Sequence, residues 1–216
     1  MQRLSAAPIQ PPPMLPGFEH INRFWDRGRQ LYLAKILPGE FYVTVEQELI
    51  GTVLGSCISA CIRDPVFGIG GMNHFMLPTG GDEHRSDRWQ GTHLSAATRY
   101  GTHAMEQLIN TLIKHGARRD NLEVKIFGGG RVLKQMTDVG RRNIEFAREY
   151  IATEGLRLVS EDVGDIHPRK IMYWPLTGRV LMKKLRSLHN DTILLREENY
   201  QHSIEERPTE GAVELF

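Results

Sequence analysis

Two side chains that could do chemistry together stand close in the chain. Cys57 lies in Leu54-Gly55-Ser56-Cys57-Ile58-Ser59-Ala60-Cys61-Ile62-Arg63, and His74 lies in Ile69-Gly70-Gly71-Met72-Asn73-His74-Phe75-Met76-Leu77-Pro78. A free thiol with a pKa of about 8.5 is mostly protonated at neutral pH, and only its thiolate is a good nucleophile. An adjacent imidazole can take that proton, giving the activated nucleophile of thiol hydrolases. Gly55 and Ser56, just ahead of the thiol, would let backbone N–H groups approach a developing oxyanion. The opposing reading is structural: cysteine is often buried as a small hydrophobe, and a lone histidine in a strand is usually satisfied by ordinary hydrogen bonds.

The elements that must position the pair are two apolar runs rich in strand-forming residues, on either side of Asp64-Pro65-Val66-Phe67-Gly68. Asp-Pro presets the φ that begins a tight turn, so the runs read as a β-hairpin. A loop centred between Pro65 and Val66 sets Cys57 directly opposite His74, with Cβ atoms about 4.5–5.5 Å apart. Gly70-Gly71 could host a bulge, and a one-residue slip would turn His74 to the other face. The chemistry also needs the thiol at a surface that a substrate amide can reach.

Leu54-Gly55-Ser56-Cys57, Asp64-Pro65 and Gly70 to Pro78 resemble the signature of the CheD family of bacterial chemoreceptor glutamine deamidases. Tyr100 and the helix after it, Lys125-Ile126-Phe127-Gly128-Gly129, Gly140-Arg141-Arg142-Asn143 and Glu161-Asp162-Val163-Gly164 resemble later blocks of that family in the same order. The likeness covers residues 30 to 186. It implies Cys57 as nucleophile and His74 as catalytic histidine. The family's third catalytic residue, a threonine, falls on Gly51 here, so Thr52, one step later, becomes the candidate. The paired glycines that follow Glu-Asp in the family thin to Val163-Gly164-Asp165.

The resemblance further implies a single layered α/β domain of mixed sheets flanked by helices, related to deamidating toxins and papain-like thiol hydrolases. The expected activity is hydrolysis of the side-chain amide of specific glutamines in methyl-accepting chemotaxis receptors, without a cofactor. Expected partners are the receptor's cytoplasmic helices and a CheC-type phosphatase. Two rivals belong to other classes: a non-catalytic adaptor for such a phosphatase, and a small metal module built on Cys57, Cys61 and His74.

Composition sets outer bounds. With 216 residues, 40% of them hydrophobic, one domain with a sizeable core is expected. A formal charge of +1 makes no electrostatic case for nucleic acid or an acidic membrane. Cys57 and Cys61 lie roughly 13 Å apart if they share a strand, beyond disulfide reach. No signal peptide or membrane-spanning run is evident, and a cytoplasmic protein is expected.

Residues 1–30, with Pro11-Pro12-Pro13 and Pro16-Gly17, read as a flexible arm in which Phe18, Ile21, Phe24 and Trp25 could dock. Strands are expected over Leu31–Ile36 and Phe41–Val45, and a helix over Leu94–His115 ends at Gly116. The polar loop Thr79–Gly91 is expected to shape access to the thiol. His84, His93 and His103 share no metal-ligand spacing. Val124–Phe127 enters Gly128-Gly129-Gly130, which lacks the Lys-Ser/Thr of a phosphate loop and reads as turn geometry. A second helix over Asn143–Thr153 precedes strands at Leu156–Val159, Ile171–Tyr173 and Val180–Met182. Residues 187–216 are charged and are expected to be mobile or to dock a partner.

Overall fold

The computed structural model describes residues 10–78, 96–132, 139–185 and 191–206. The expected access loop, Thr79–Gly91, lies outside them.

Among the described residues ten strands form two five-stranded mixed sheets. The first contains β1 (Asn22–Asp26), β2 (Leu31–Lys35), β4 (Leu49–Leu54), β9 (Arg169–Trp174) and β10 (Arg179–Lys184), in that spatial order. The second runs β3 (Phe41–Thr44), β6 (Ile69–Asn73), β5 (Ile58–Asp64), β7 (Glu123–Gly128) and β8 (Arg157–Val163). Helices α1 (Ala96–Lys114) and α2 (Val139–Thr153) pack on the second sheet. A third helix, α3 (Asp191–Glu206), follows β10.

β5 and β6 are buried almost throughout. Covered on both faces, they explain why these strands read as continuous apolar runs instead of alternating ones. Ile50, Leu54, Ile171 and Tyr173 of the first sheet share one core with Ile58, Ala60 and Ile62 of β5 and with Leu108 and Leu112 of α1. This is the single layered α/β domain expected.

The hairpin is present, with a different centre. β5 pairs with β6 through Asp64↔Ile69 and Cys61↔Met72, leaving Pro65–Gly68 as a four-residue loop. The side chain of Asp64 sets that length: its Oδ1 accepts from the N–H groups of Val66 (2.8 Å) and Phe67 (3.0 Å). Gly68, at φ 82°, then closes the loop with its N–H on the Asp64 carbonyl at 3.0 Å. The loop is therefore built on an aspartate cap and a glycine, not on Pro65 as the first corner of a two-residue turn.

Gly70 and Gly71 host no bulge. The register of β5 and β6 continues unchanged to the isolated bridge Ile58↔Phe75. A Cβ on Gly71 would stand 2.6 Å from the Tyr42 carbonyl and 2.7 Å from Leu108, so this glycine admits β3 and α1 to the strand.

Two terminal segments differ from expectation. Part of the arm forms a strand, with β1 pairing antiparallel to β2, while Phe18 and Ile21 dock against the core as the sequence reading allows. Arg23 of β1 anchors this edge by pairing with the buried carboxylate of Glu48 at 2.8 Å and donating to the Pro12 carbonyl at 2.9 Å. In the C-terminal segment, α3 lies against the domain with Glu197 and Gln201 buried.

Candidate active site

Cys57 sits in the three-residue crossover Gly55-Ser56-Cys57, by which the chain leaves the first sheet at the end of β4 and enters the second at β5. His74 follows β6 directly. Ile58 and Phe75 exchange both backbone hydrogen bonds at 2.9 Å. That register places Cys57 opposite Met76 and His74 opposite Ser59, so the thiol and the imidazole are diagonal neighbours across the Ile58–Phe75 pair. The direct opposition read from the sequence is corrected by one residue on each strand. The change is even in total, so the two remain on one face.

Thr52, on β4, reaches across from the first sheet: its Oγ1 lies 2.8 Å from His74 Nδ1 and 2.9 Å from the Ile36 carbonyl oxygen. A carbonyl can only accept, so the single hydroxyl proton goes to Ile36, and Thr52 must accept from Nδ1–H. The imidazole is thereby held in the tautomer whose Nε2 carries a lone pair. That Nε2 is buried with no hydrogen-bond partner among the described residues. Gly51, where the resemblance placed the third residue, instead lies under Leu33, 3.3 Å from where its Cβ would be. Burial first, and the Arg196 cation second, hold the His74 pKa down to about 3.

The crossover is anchored from behind. Gly130 N–H donates to the Gly55 carbonyl at 2.7 Å, Asn143 Nδ2 to the Ser56 carbonyl at 2.8 Å, and Gly129 N–H to the Cys57 carbonyl at 2.8 Å. In a trans peptide the C=O and N–H point in opposite directions, so fixing the carbonyls of Gly55 and Ser56 aims the N–H groups of Ser56 and Cys57 the other way. The Gly128-Gly129-Gly130 run is thus a brace for the thiol loop. Asn143 also accepts from Leu77 N–H at 2.9 Å, tying the segment after His74 to the same side chain.

The aimed N–H groups converge on Glu197 of α3. Gly55 N–H donates to Oε1 at 2.8 Å, Ser56 N–H to Oε2 at 2.8 Å, Ser56 Oγ to Oε2 at 2.7 Å, and Cys57 N–H to Oε1 at 3.3 Å. Burial first, then the Glu197 carboxylate beside it, push the Cys57 thiol well above its ordinary pKa. Cys57 is fully buried. The surface-accessible thiol expected from the sequence is therefore not what this structure holds.

Cys61 is a buried thiol opposite Met72, and both cysteines are free. Among the described residues no group of three His, Cys, Asp or Glu side chains is arranged to hold a metal ion, and no helix is long and apolar enough to cross a membrane.

Asn143, Gly130 and Glu197 were given no site role from the sequence. Asn143 ends the Gly140-Arg141-Arg142-Asn143 stretch that resembles the family, where nothing local marks its task. For α3, a signal was present: Ile193, Glu197, Tyr200 and Ile204 recur at helical spacing.

The architecture and the crossover define an α/β protein with a buried thiol and a tautomer-fixed imidazole on one face of a central sheet, backed by a cradle of backbone amides. The family model described as CheD chemotactic sensory transduction matches residues 76–184. The chain is 59% identical over 206 residues to the probable chemoreceptor glutamine deamidase CheD of Halorhodospira halophila, covering 95% of this chain and 94% of that one. It is 55% identical over 208 residues to the corresponding protein of Hahella chejuensis, covering 96% of each, and 53% identical over 197 residues to that of Thiobacillus denitrificans, covering 90% and 95%. The chain belongs to the CheD family.

Proposed function

We propose that this protein is a chemoreceptor glutamine deamidase that hydrolyses the side-chain amide of receptor glutamines to glutamate and ammonia, with Cys57 as nucleophile and His74 as base and acid. The observation that carries this reading is the convergence of the Gly55, Ser56 and Cys57 N–H groups on one side-chain carboxyl group beside the thiol. A glutamine carboxamide has the same length and shape as that group. Seated there, its carbonyl oxygen would accept from the crossover amides beside the thiol.

His74 Nε2 takes the thiol proton, and sulfur attacks the carboxamide carbon. The negative charge that develops on oxygen is met by the amides whose carbonyls Gly130 and Asn143 hold. The imidazolium then returns its proton to the departing nitrogen, releasing ammonia and leaving a thioester. Water attacks the thioester with Nε2 again as base, releasing glutamate and the free thiol. Thr52 keeps Nδ1 protonated throughout and so positions the ring. The substrates are glutamines on cytoplasmic receptor helices, which places the enzyme in the cytoplasm, and a CheC-type phosphatase is its second partner.

The test incubates a receptor cytoplasmic fragment with wild-type or Cys57→Ala protein and follows ammonia release and glutamine-to-glutamate conversion by peptide mass spectrometry. Conversion confined to wild type is expected. Equal conversion by both would overturn the mechanism.

A further inference from the structure

The carboxylate in the amide cradle comes from α3 of the same chain, some 140 residues away from the thiol. A glutamate side chain presented on a helix is chemically what deamidation leaves on a receptor helix. We propose that the Gly55–Cys57 cradle is a binding site for a helix-borne glutamate carboxylate, and that α3 fills it as a tethered analogue of the reaction product, closing the enzyme to its substrate. The proposal rests on the deamidase reading above.

The fit is specific to this group. Glu197 is only 2% exposed, although a carboxylate ordinarily stays in water. A Cβ on Gly55 would stand 2.5 Å from its Oε2, so the loop approaches the carboxylate as closely as only glycine allows. One turn further along α3, Tyr200 hydrogen-bonds the hydroxyl of Tyr100 on α1 and lies over Gly39, where a Cβ would come within 3.1 Å of its ring. Glu197, Tyr200, Gln201 and Ile204 form the inward face, while Leu195, Arg196, Glu198 and Asn199 point to solvent. The helix is thus held at the cradle and at the tyrosine pair.

The docked helix also quiets the reacting groups. Its carboxylate favours the protonated thiol, and its Arg196 disfavours a protonated imidazole. Both effects oppose the thiolate–imidazolium pair. Lifting α3 removes both together, and a neutral glutamine arriving in its place restores neither.

A ligand held in cis competes with substrate and leaves the open enzyme unchanged. Closure in about 90% of molecules raises the apparent KM about tenfold at constant kcat. Full-length wild-type, Glu197→Ala and Tyr200→Ala proteins are compared for receptor-fragment deamidation and for the rate at which iodoacetamide modifies Cys57, read by peptide mass spectrometry. The expected result is a KM about tenfold lower with kcat retained, and faster Cys57 alkylation, in both variants. An unchanged or higher KM with unchanged alkylation in the Glu197→Ala protein overturns the proposal; if that protein does not fold, the Tyr200→Ala protein decides by the same criterion. A Cys57→Ala protein as active as wild type would instead count against the deamidase mechanism. In that event the alkylation rates alone decide closure, equal rates in wild type and Glu197→Ala refuting it.

Discussion

Thr52 Oγ1 accepts the Nδ1–H of His74 at 2.8 Å while giving its own proton to the Ile36 carbonyl, so a strand of one sheet dictates the tautomer of a side chain on the other. A Thr52→Val protein keeps the shape and loses both bonds. We expect kcat for receptor deamidation to fall on the order of 10²-fold, the scale of a misdirected general base, with Thr52→Ser restoring most of it. Steady-state kinetics of the three proteins checks this. Equal kcat in Thr52→Val and wild type would show that the ring is oriented by something else.

His74 titrates far below its ordinary value of 6.5, at about 3. Between those values the unfolded chain binds a proton that the folded one refuses. The stabilising contribution is therefore complete above pH 6.5 and is lost as pH falls toward 3, by at most about 1.4 kcal/mol per pH unit from this group. Urea midpoints measured from pH 7 to pH 4 should decline more steeply for wild type than for His74→Gln. Parallel slopes would mean that the imidazole is protonated in the folded state as readily as in the unfolded.

Asn143 holds the Ser56 carbonyl and the Leu77 amide from a fully buried position on α2. Replacing it by alanine leaves two buried backbone groups unpaired and releases the peptide that aims Cys57 N–H. A loss of roughly 2 kcal/mol or more in stability should accompany a fall in kcat of at least about tenfold. Asn143→Asp keeps the acceptor for Leu77 and loses the donor for Ser56. It should recover stability partly and activity hardly at all, as thermal denaturation and kinetics on the same samples would reveal.

Asp64 separates register from chemistry. It is buried, and although burial alone would raise its pKa, hydrogen bonds from Arg118, Phe67, Asn121 and Val66 outweigh that and leave the carboxyl below its usual range. Asp64→Ala should destabilise the protein by about 3 kcal/mol through lost charge-assisted bonds. Molecules that remain folded at low temperature should turn over normally, since the residue touches nothing in the crossover. A kcat loss without a stability loss would contradict its assignment as the hairpin cap.

What the sequence revealed, and what it concealed, follows from the range of the interactions concerned. Cys57 and His74 could be placed on one face because alternation along two adjacent strands is a local property that survives an even change of register. The true register is not legible locally because it depends on Asp64 Oδ1 accepting from Val66 and Phe67 N–H, a choice of side-chain partner that the Asp-Pro pair does not reveal. β1 was hidden behind prolines that end just before it. The brace and the cradle join residues 87 and 141 positions apart, Asn143 to Ser56 and Glu197 to Ser56, and no periodicity carries that information. The charged surface of α3 masked a helix whose inward face is set by a few positions.

Because Thr52 belongs to one sheet and His74 to the other, the working arrangement exists only once both sheets are complete and packed. β4 is enclosed between β2 and β9, and β9 begins at Arg169, more than a hundred residues after the thiol has been made. A chain still emerging from the ribosome, or one cut short before that strand, carries a cysteine with no oriented partner. Under the proposed mechanism, such a chain would lack the oriented base that activates its thiol.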